Sequence, residues 1–141
     1  MKISARNQLK GTVVSVTPGA VNSVVAIDLG DAAIKAGITM EAIESLELAP
    51  GKEAYAIVKA TNVMFAAGSL PIGGISARNQ LVGTVDEVKV GAVNGHVRLA
   101  LADGTRITGS ITNEAIEALG LAKGTPAVAI IKSTGVIVGV E

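Results

Sequence analysis

The heptapeptide Ile3-Ser4-Ala5-Arg6-Asn7-Gln8-Leu9 returns unchanged as Ile75-Ser76-Ala77-Arg78-Asn79-Gln80-Leu81, 72 residues further on. The same offset carries Gly11-Thr12-Val13 onto Gly83-Thr84-Val85, and Gly19-Ala20-Val21-Asn22 onto Gly91-Ala92-Val93-Asn94. It then lengthens by one, because Ile38-Thr39-Met40-Glu41-Ala42-Ile43-Glu44 aligns with Ile111-Thr112-Asn113-Glu114-Ala115-Ile116-Glu117. One residue has entered the second copy between Leu101 and Gly109, most simply in a turn at Asp103-Gly104. The longer offset holds to the end and lays Lys59-Ala60-Thr61 over Lys132-Ser133-Thr134. The chain is a tandem repeat.

A period of this length exceeds the roughly 20–50 residues of solenoid units, so each copy reads as a small domain. The division is residues 1–66, a linker of Gly, Ser and Pro composition at 67–73, and residues 74–141. Domains of this size bury only about 60% of their unfolded surface and sit near the stability limit. With no cysteine and no Cys/His cluster, disulfides and structural zinc cannot support them. Packing of one copy on the other, and oligomerisation, remain.

Within the first copy, Gly11–Val16 is rich in β-branched residues and Pro18-Gly19 is turn chemistry, which predicts a strand and a turn after the heptapeptide. Val24–Leu29 forms the second strand, and its counterpart His96–Leu101 alternates with Val97, Leu99 and Leu101 on one face. Third strands are expected at Ala33–Gly37 and Thr105–Gly109. The period then changes: Thr39 reads as a helix N-cap, Glu41 suits the first turn, and Ala42, Ile43 and Leu46 share a face. Pro50-Gly51 and the Gly120–Gly124 stretch end these helices, before apolar fourth strands at Ala54–Lys59 and Ala127–Lys132 and last strands at Val63–Ala66 and Val136–Val140. The fold class is therefore all-β with one short helix per domain. Five strands with a helix between the third and fourth is the order of a small OB-type barrel, here two in tandem.

Function is bounded mostly by inventory. A single His, no Cys and no carboxylate pair in a pocket-forming motif argue against an enzyme. No Walker A or dinucleotide fingerprint is present. The net charge is +0 and the aromatics are Tyr55 and Phe65 alone, so neither a polyanion-steering surface nor a base-stacking platform is expected. The start of the chain moves straight into the repeat without a signal-peptide pattern, which makes the cytoplasm the default location.

Short polar groups in turns do recur: Ser4 with Arg6-Asn7, Lys59-Ala60-Thr61, and Gly19-Ala20-Val21-Asn22. Free backbone N–H groups, hydroxyls and an ammonium suit a small oxyanion, which offers several acceptor oxygens and negative charge. The alternative is that Ser4 and Asn7 cap turns while Lys59 and Thr61 face water.

The Ser-Ala-Arg-Asn-Gln-Leu-x-Gly-Thr-Val opening, the Gly-Ala-Val-Asn turn and the Lys-Ala/Ser-Thr-x-Val segment resemble the Mop domain of the molbindins, a TOBE-like unit, over nearly all of both copies. The resemblance implies an OB-type barrel per copy, assembly of the chain as a homotrimer, and molybdate or tungstate bound at interfaces without covalent chemistry, for intracellular storage and homeostasis of the oxyanion. One class of site would form where Ser4, Ala5, Arg6 and Asn7 of one unit meet Lys59, Ala60 and Thr61 of a neighbour. The second copy would supply Ser76, Ala77, Arg78, Asn79, Lys132, Ser133 and Thr134. A second class near the threefold axis would use Gly19, Ala20, Val21 and Asn22 with Gly91, Ala92, Val93 and Asn94. Aligned with Ser23, His96 is the departure between the copies and sets the equivalence of those axial sites in question. Arg6 and Arg78 either contact ligand or tie the first strand to a neighbouring subunit. A structural or regulatory interaction module of OB type, without storage of an oxyanion, is the competing reading.

Overall fold

A computed structural model describes residues 1–141. The first copy forms β1 (Asn7–Thr17), β2 (Asn22–Asp28), β3 (Ala33–Thr39), α1 (Met40–Ser45), β4 (Glu53–Val58), a 3-10 turn at Ala60–Asn62, and β5 (Val63–Ala67). The second repeats the order with β6 (Asn79–Val90), β7 (Asn94–Ala100), β8 (Arg106–Thr112), α2 (Asn113–Ala118), β9 (Pro126–Ile131), a 3-10 turn at Ser133–Gly135, and β10 (Val136–Gly139). No helix is long and apolar enough to cross a membrane.

These strands build two five-stranded antiparallel sheets, ordered β10-β4-β1-β2-β3 and β5-β9-β6-β7-β8. Here the structure departs from the expectation that each copy supplies its own five strands. The last strand of each copy crosses over: Val136–Gly139 pairs with Val58–Tyr55 of the first copy, and Val63–Ala67 pairs with Ile131–Ala127 of the second. The 3-10 turn after β4 or β9 redirects the chain at the point where a sequence reading sees only a break between two strands. The first sheet curls into a nearly closed barrel.

The heptapeptide also differs from its predicted place before the first strand. Asn7 is already paired with Val58, and Asn7 and Leu9 are buried while Gln8 and Lys10 are not, a two-residue alternation proper to a strand. β1 pairs with β4 through its first half and with β2 through its second, with a register shift between Val13 and Ser15; β6 does the same between Val85 and Glu87. Such bulges add twist and bend, which lets one long strand serve both neighbours of a curled sheet. The third strands run two or three residues beyond prediction, up to the helix caps.

Other expectations hold. Thr39 and Thr112 accept the N–H groups of Ala42 and Ala115 at 3.1 Å as N-caps. The inserted residue lies in the β7–β8 turn, where Leu101 N–H reaches Thr105, against Leu29 to Ala32 in the first copy. The two turns touch: Asp103 accepts the N–H of Asp31 at 3.0 Å and that of Thr105 at 2.8 Å. Hydrogen bonds from Thr105, then Asp31, hold the Asp103 carboxyl below its ordinary range.

One core of 26 buried residues runs through both sheets. Gly109 of β8 lies directly beneath the Phe65 ring of β5, so that a Cβ at Gly109 would overlap the ring and lie 3.2 Å from Val63. The equivalent pair in the other sheet is Ala36 with Val138, both buried. Two buried amides then bolt the sheets together. Asn7 donates to Val58 O at 3.1 Å and Thr108 O at 2.8 Å, and accepts from Thr108 N–H at 2.8 Å. Asn79 donates to Lys35 O at 2.8 Å and accepts from Lys35 N–H at 2.7 Å. Each heptapeptide is thus fastened to the third strand of the other copy.

Candidate functional site

The cross-over sets the turn after β4 against β8, which belongs to the other copy. A cleft of about 250 Å³ opens there. Ser4, Ala5 and Arg6 form one side and Lys59, Ala60 and Thr61 another, so the two predicted tripeptides meet, and both come from the first copy of a single chain. His96 of β7 and Ser110 of β8 complete the wall. The leading N–H groups of a 3-10 turn have no acceptor inside it, so the turn at Ala60 and Thr61 adds main-chain donors to the hydroxyls. Arg6 and Lys59 are exposed and make no ion pair within the chain. Two cations without partners, several hydroxyls and free N–H groups are what a small anion requires.

The second-copy residues are distributed differently. Lys132 and Thr134 line a cleft of about 350 Å³ with Thr61, between the two 3-10 turns. Lys132 also borders a more apolar cleft of about 390 Å³ with Ser76 and Ala77. Ser133 rests on the third strand of the first copy, its hydroxyl 3.4 Å from where a Cβ on Gly37 would stand. Arg78 is exposed and free of ion pairs. The side-chain amides of Asn7 and Asn79 are committed to the inter-sheet bonds described above, and each residue stands at the junction as a fastener.

The turns Gly19–Asn22 and Gly91–Asn94 are exposed, with Val21 and Val93 each 71% accessible at their tips. Behind them the copies differ. Ser23 is buried and its hydroxyl donates to the Met40 sulfur at 2.5 Å, whereas Asn113 donates to Gly91 O at 2.8 Å and keeps a buried carbonyl oxygen with no partner.

Strand register corrects the alignment of His96. It stands opposite Ser110, as Val24 stands opposite Gly37, while Gly95 opposes Ile111 as Ser23 opposes Ile38. His96 therefore corresponds to Val24 and Ser23 to Gly95. The extra residue follows β7, so the shorter offset still applies at position 96. His96 belongs to the cleft behind Arg6, away from the axial turn. Its lone occurrence and its polar-face position on an alternating strand were visible in sequence. Its neighbours were not, because only the strand cross-over brings them together.

A second, wholly polar cleft of about 200 Å³ adjoins the first and shares Arg6 and His96 with it. It is bordered by Glu87, Lys89, Arg98 and Thr108. Arg98 bonds Asp86 at 2.7 Å and Glu87 at 3.4 Å, and Arg106 reaches the same Asp86 at 3.2 Å. The Asp86 hydrogen bond, aided by the Asp86 and Glu87 charges, raises the Arg98 guanidinium above its ordinary value.

Comparison with known proteins agrees with this architecture. The TOBE domain family model matches residues 3–65 and again 75–138. A crystal structure of the cytoplasmic molybdate-binding protein ModG, with molybdate bound, superposes with a TM-score of 0.94 at 49% identity and full coverage of both chains. Molybdenum transport protein ModE of Azotobacter vinelandii is 44% identical over 99% of this chain and 52% of its own length. Molybdenum-pterin-binding protein MopA of Rhodobacter capsulatus is 45% identical over 97% of this chain and 52% of its own. A probable molybdenum-pterin-binding protein of Haemophilus influenzae, at 55% identity, matches 45% of this chain with 94% of its length. The chain thus spans about half the length of the ModE and MopA relatives and all of ModG. With both copies matched and the whole ModG fold reproduced, the chain belongs to the TOBE domain family, in the same two-copy arrangement as ModG.

Proposed function

We propose that this protein binds molybdate, or tungstate of the same tetrahedral dianionic form, without catalysis, and serves its intracellular storage and homeostasis. The observation that carries this reading is the junction cleft, where unpaired Arg6 and Lys59 face Ser4, Thr61 and the open end of a 3-10 turn. The likeness to the molybdate-loaded ModG structure over the whole chain supports it. Capture is reversible: the dianion sheds water at the junction, and N–H groups, hydroxyls and a Lys ammonium satisfy its oxygens. Charge-assisted hydrogen bonds of this kind contribute about 1.5–3 kcal/mol each, so a few suffice without full neutralisation.

Both sheets close as OB-type barrels in this reading, and the chain assembles as a homotrimer in the cytoplasm, with neither nucleic acid nor membrane as a partner. Support for assembly comes from apolar side chains left outside the core, among them Ile137 at 63% and Met64 at 51% exposure on the crossed-over strands. Further oxyanion sites then form between subunits, including the Gly19–Asn22 and Gly91–Asn94 turns near the threefold axis. Ligand that binds only the assembled form stabilises it by mass action.

The test is native mass spectrometry with and without molybdate, sulfate and phosphate, on wild type and on Lys59→Ala combined with Lys132→Ala. A trimer that takes up molybdate in preference to the other anions, with uptake weakened about 10–100-fold in the double variant, is expected. Uptake unchanged in stoichiometry and affinity removes the lysines from the site. A chain indifferent to all three anions removes the function.

A further inference from the structure

Resting on the molybdate reading, we propose that the two junction sites of one chain are unequal and that His96 makes the first the tighter. His96 is thus a specificity-determining residue whose imidazolium contacts the bound dianion.

The two junctions are built from the same parts. In each, a 3-10 turn carrying Lys-x-Thr packs on the third strand of the other copy, with Ser4, Ala5 and Arg6 beside Lys59 at the first and Ser76 and Ala77 beside Lys132 at the second. Each has one further hydroxyl, supplied from opposite sides. The first junction places Ala60 on the turn and Ser110 on the strand; the second places Ser133 on the turn and Gly37 on the strand. This exchange leaves the hydroxyl inventory balanced. The strand next to the third does not balance, because it presents His96 at the first junction and Val24 at the second.

His96 is half-buried and lies where the two clefts meet, sharing both with Arg6. β6 faces it with Lys89 and Glu87, its own strand carries Arg98, and the turn brings Lys59. β8 contributes only the uncharged Ser110 and Thr108. Glu87 is already shared between Lys89 and Arg98, each at 3.4 Å, and leaves no free carboxylate beside the imidazole. A dianion in the cleft is therefore the missing partner for the imidazolium. Binding favours the protonated ring and takes up a proton, and the added bond is lost as pH rises and the ring becomes neutral. Val24 offers the second junction neither charge nor hydrogen bond.

Isothermal titration of the full chain with molybdate at pH 6.5 and pH 8.5, each in two buffers of different ionisation enthalpy, tests this. Wild type should show a tighter junction class that weakens about tenfold across that interval and takes up protons on binding, one charge-assisted bond being worth about that factor. His96→Val installs the residue that the equivalent position already tolerates. It should abolish both signatures and bring the two junction classes together, and Val24→His should give the second junction the same pH dependence. His96→Gln, which keeps a hydrogen-bonding side chain without the charge, should behave as His96→Val. Molybdate binding whose pH dependence and proton uptake survive His96→Val overturns the proposal and leaves the function standing. A chain that takes up no molybdate overturns both.

Discussion

In the first copy the 3-10 turn carries Ala60 and meets Ser110; in the second it carries Ser133 and meets Gly37. Beneath the crossed-over strands the same kind of exchange appears, with Gly109 under Phe65 in one sheet and Ala36 with Val138 in the other. In both places a group gained by one partner is given up by the other, so volume or hydroxyl number is kept while its source changes. Duplicated copies can drift as pairs of contacting residues because each contact is made between copies. Where no partner compensates, as at His96 and Val24, or at Asp86, Arg98 and Arg106 against Val14, Ala26 and Ala33, the copies have diverged in charge.

The core exchange is the easiest to break. Gly109→Ala drives a methyl group into the Phe65 ring and should cost about 3 kcal/mol in denaturant unfolding, the upper end for overpacking. Combining it with Phe65→Val rewrites the pair towards the Ala36 and Val138 arrangement. Much of the loss should return, with a coupling between the two sites well outside additivity. Additive effects would show that the ring and the strand do not press on one another.

The heptapeptides sharpen the comparison from the conserved side. Asn7→Ala and Asn79→Ala each leave main-chain groups of the other copy's third strand without partners, and each should cost about 2 kcal/mol. Near-equal losses are the expected result, since each amide makes the same donor and acceptor pair with the opposite third strand, the further Asn7 bond to Val58 O adding at most a little to its loss. A large loss in one alone would mean that the copies are held asymmetrically.

Much of this was legible before any coordinates. Periodicity, turn residues and caps located nine strands and both helices, because those signals are local; the first strand is predicted from Gly11 where it begins at Asn7, and its counterpart β6 follows only from the repeat. The donors at Ser4, Arg6, Lys59 and Thr61 stood out because they recur. What sequence left open depends on long-range choices: which sheet the fifth strand joins, and therefore that Ser110 and His96 stand behind Arg6. Asn7 and Asn79 look the same in sequence whether their amides face a ligand or the opposite strand. The slip that paired His96 with Ser23 came from applying the longer offset ahead of the inserted residue, which lies beyond Leu101. Strand register removes it.

A smaller difference lies at the helix ends. Glu47 adopts φ 53°, and its counterpart Gly120 adopts φ 62°. Only glycine takes this left-handed conformation without cost, so Glu47→Gly should stabilise the protein by about 1 kcal/mol in thermal or denaturant unfolding. No gain would imply that the Glu47 side chain makes a compensating interaction in the assembled protein.

Anomalous diffraction at the molybdenum absorption edge, from crystals of the full chain grown with molybdate, tests the central claim most directly. The account predicts an anomalous peak within hydrogen-bond reach of Ser4, Lys59 and His96, with a weaker one at the junction that holds Lys132 and Ser133. Peaks confined to other surfaces, with both junctions empty, would contradict it.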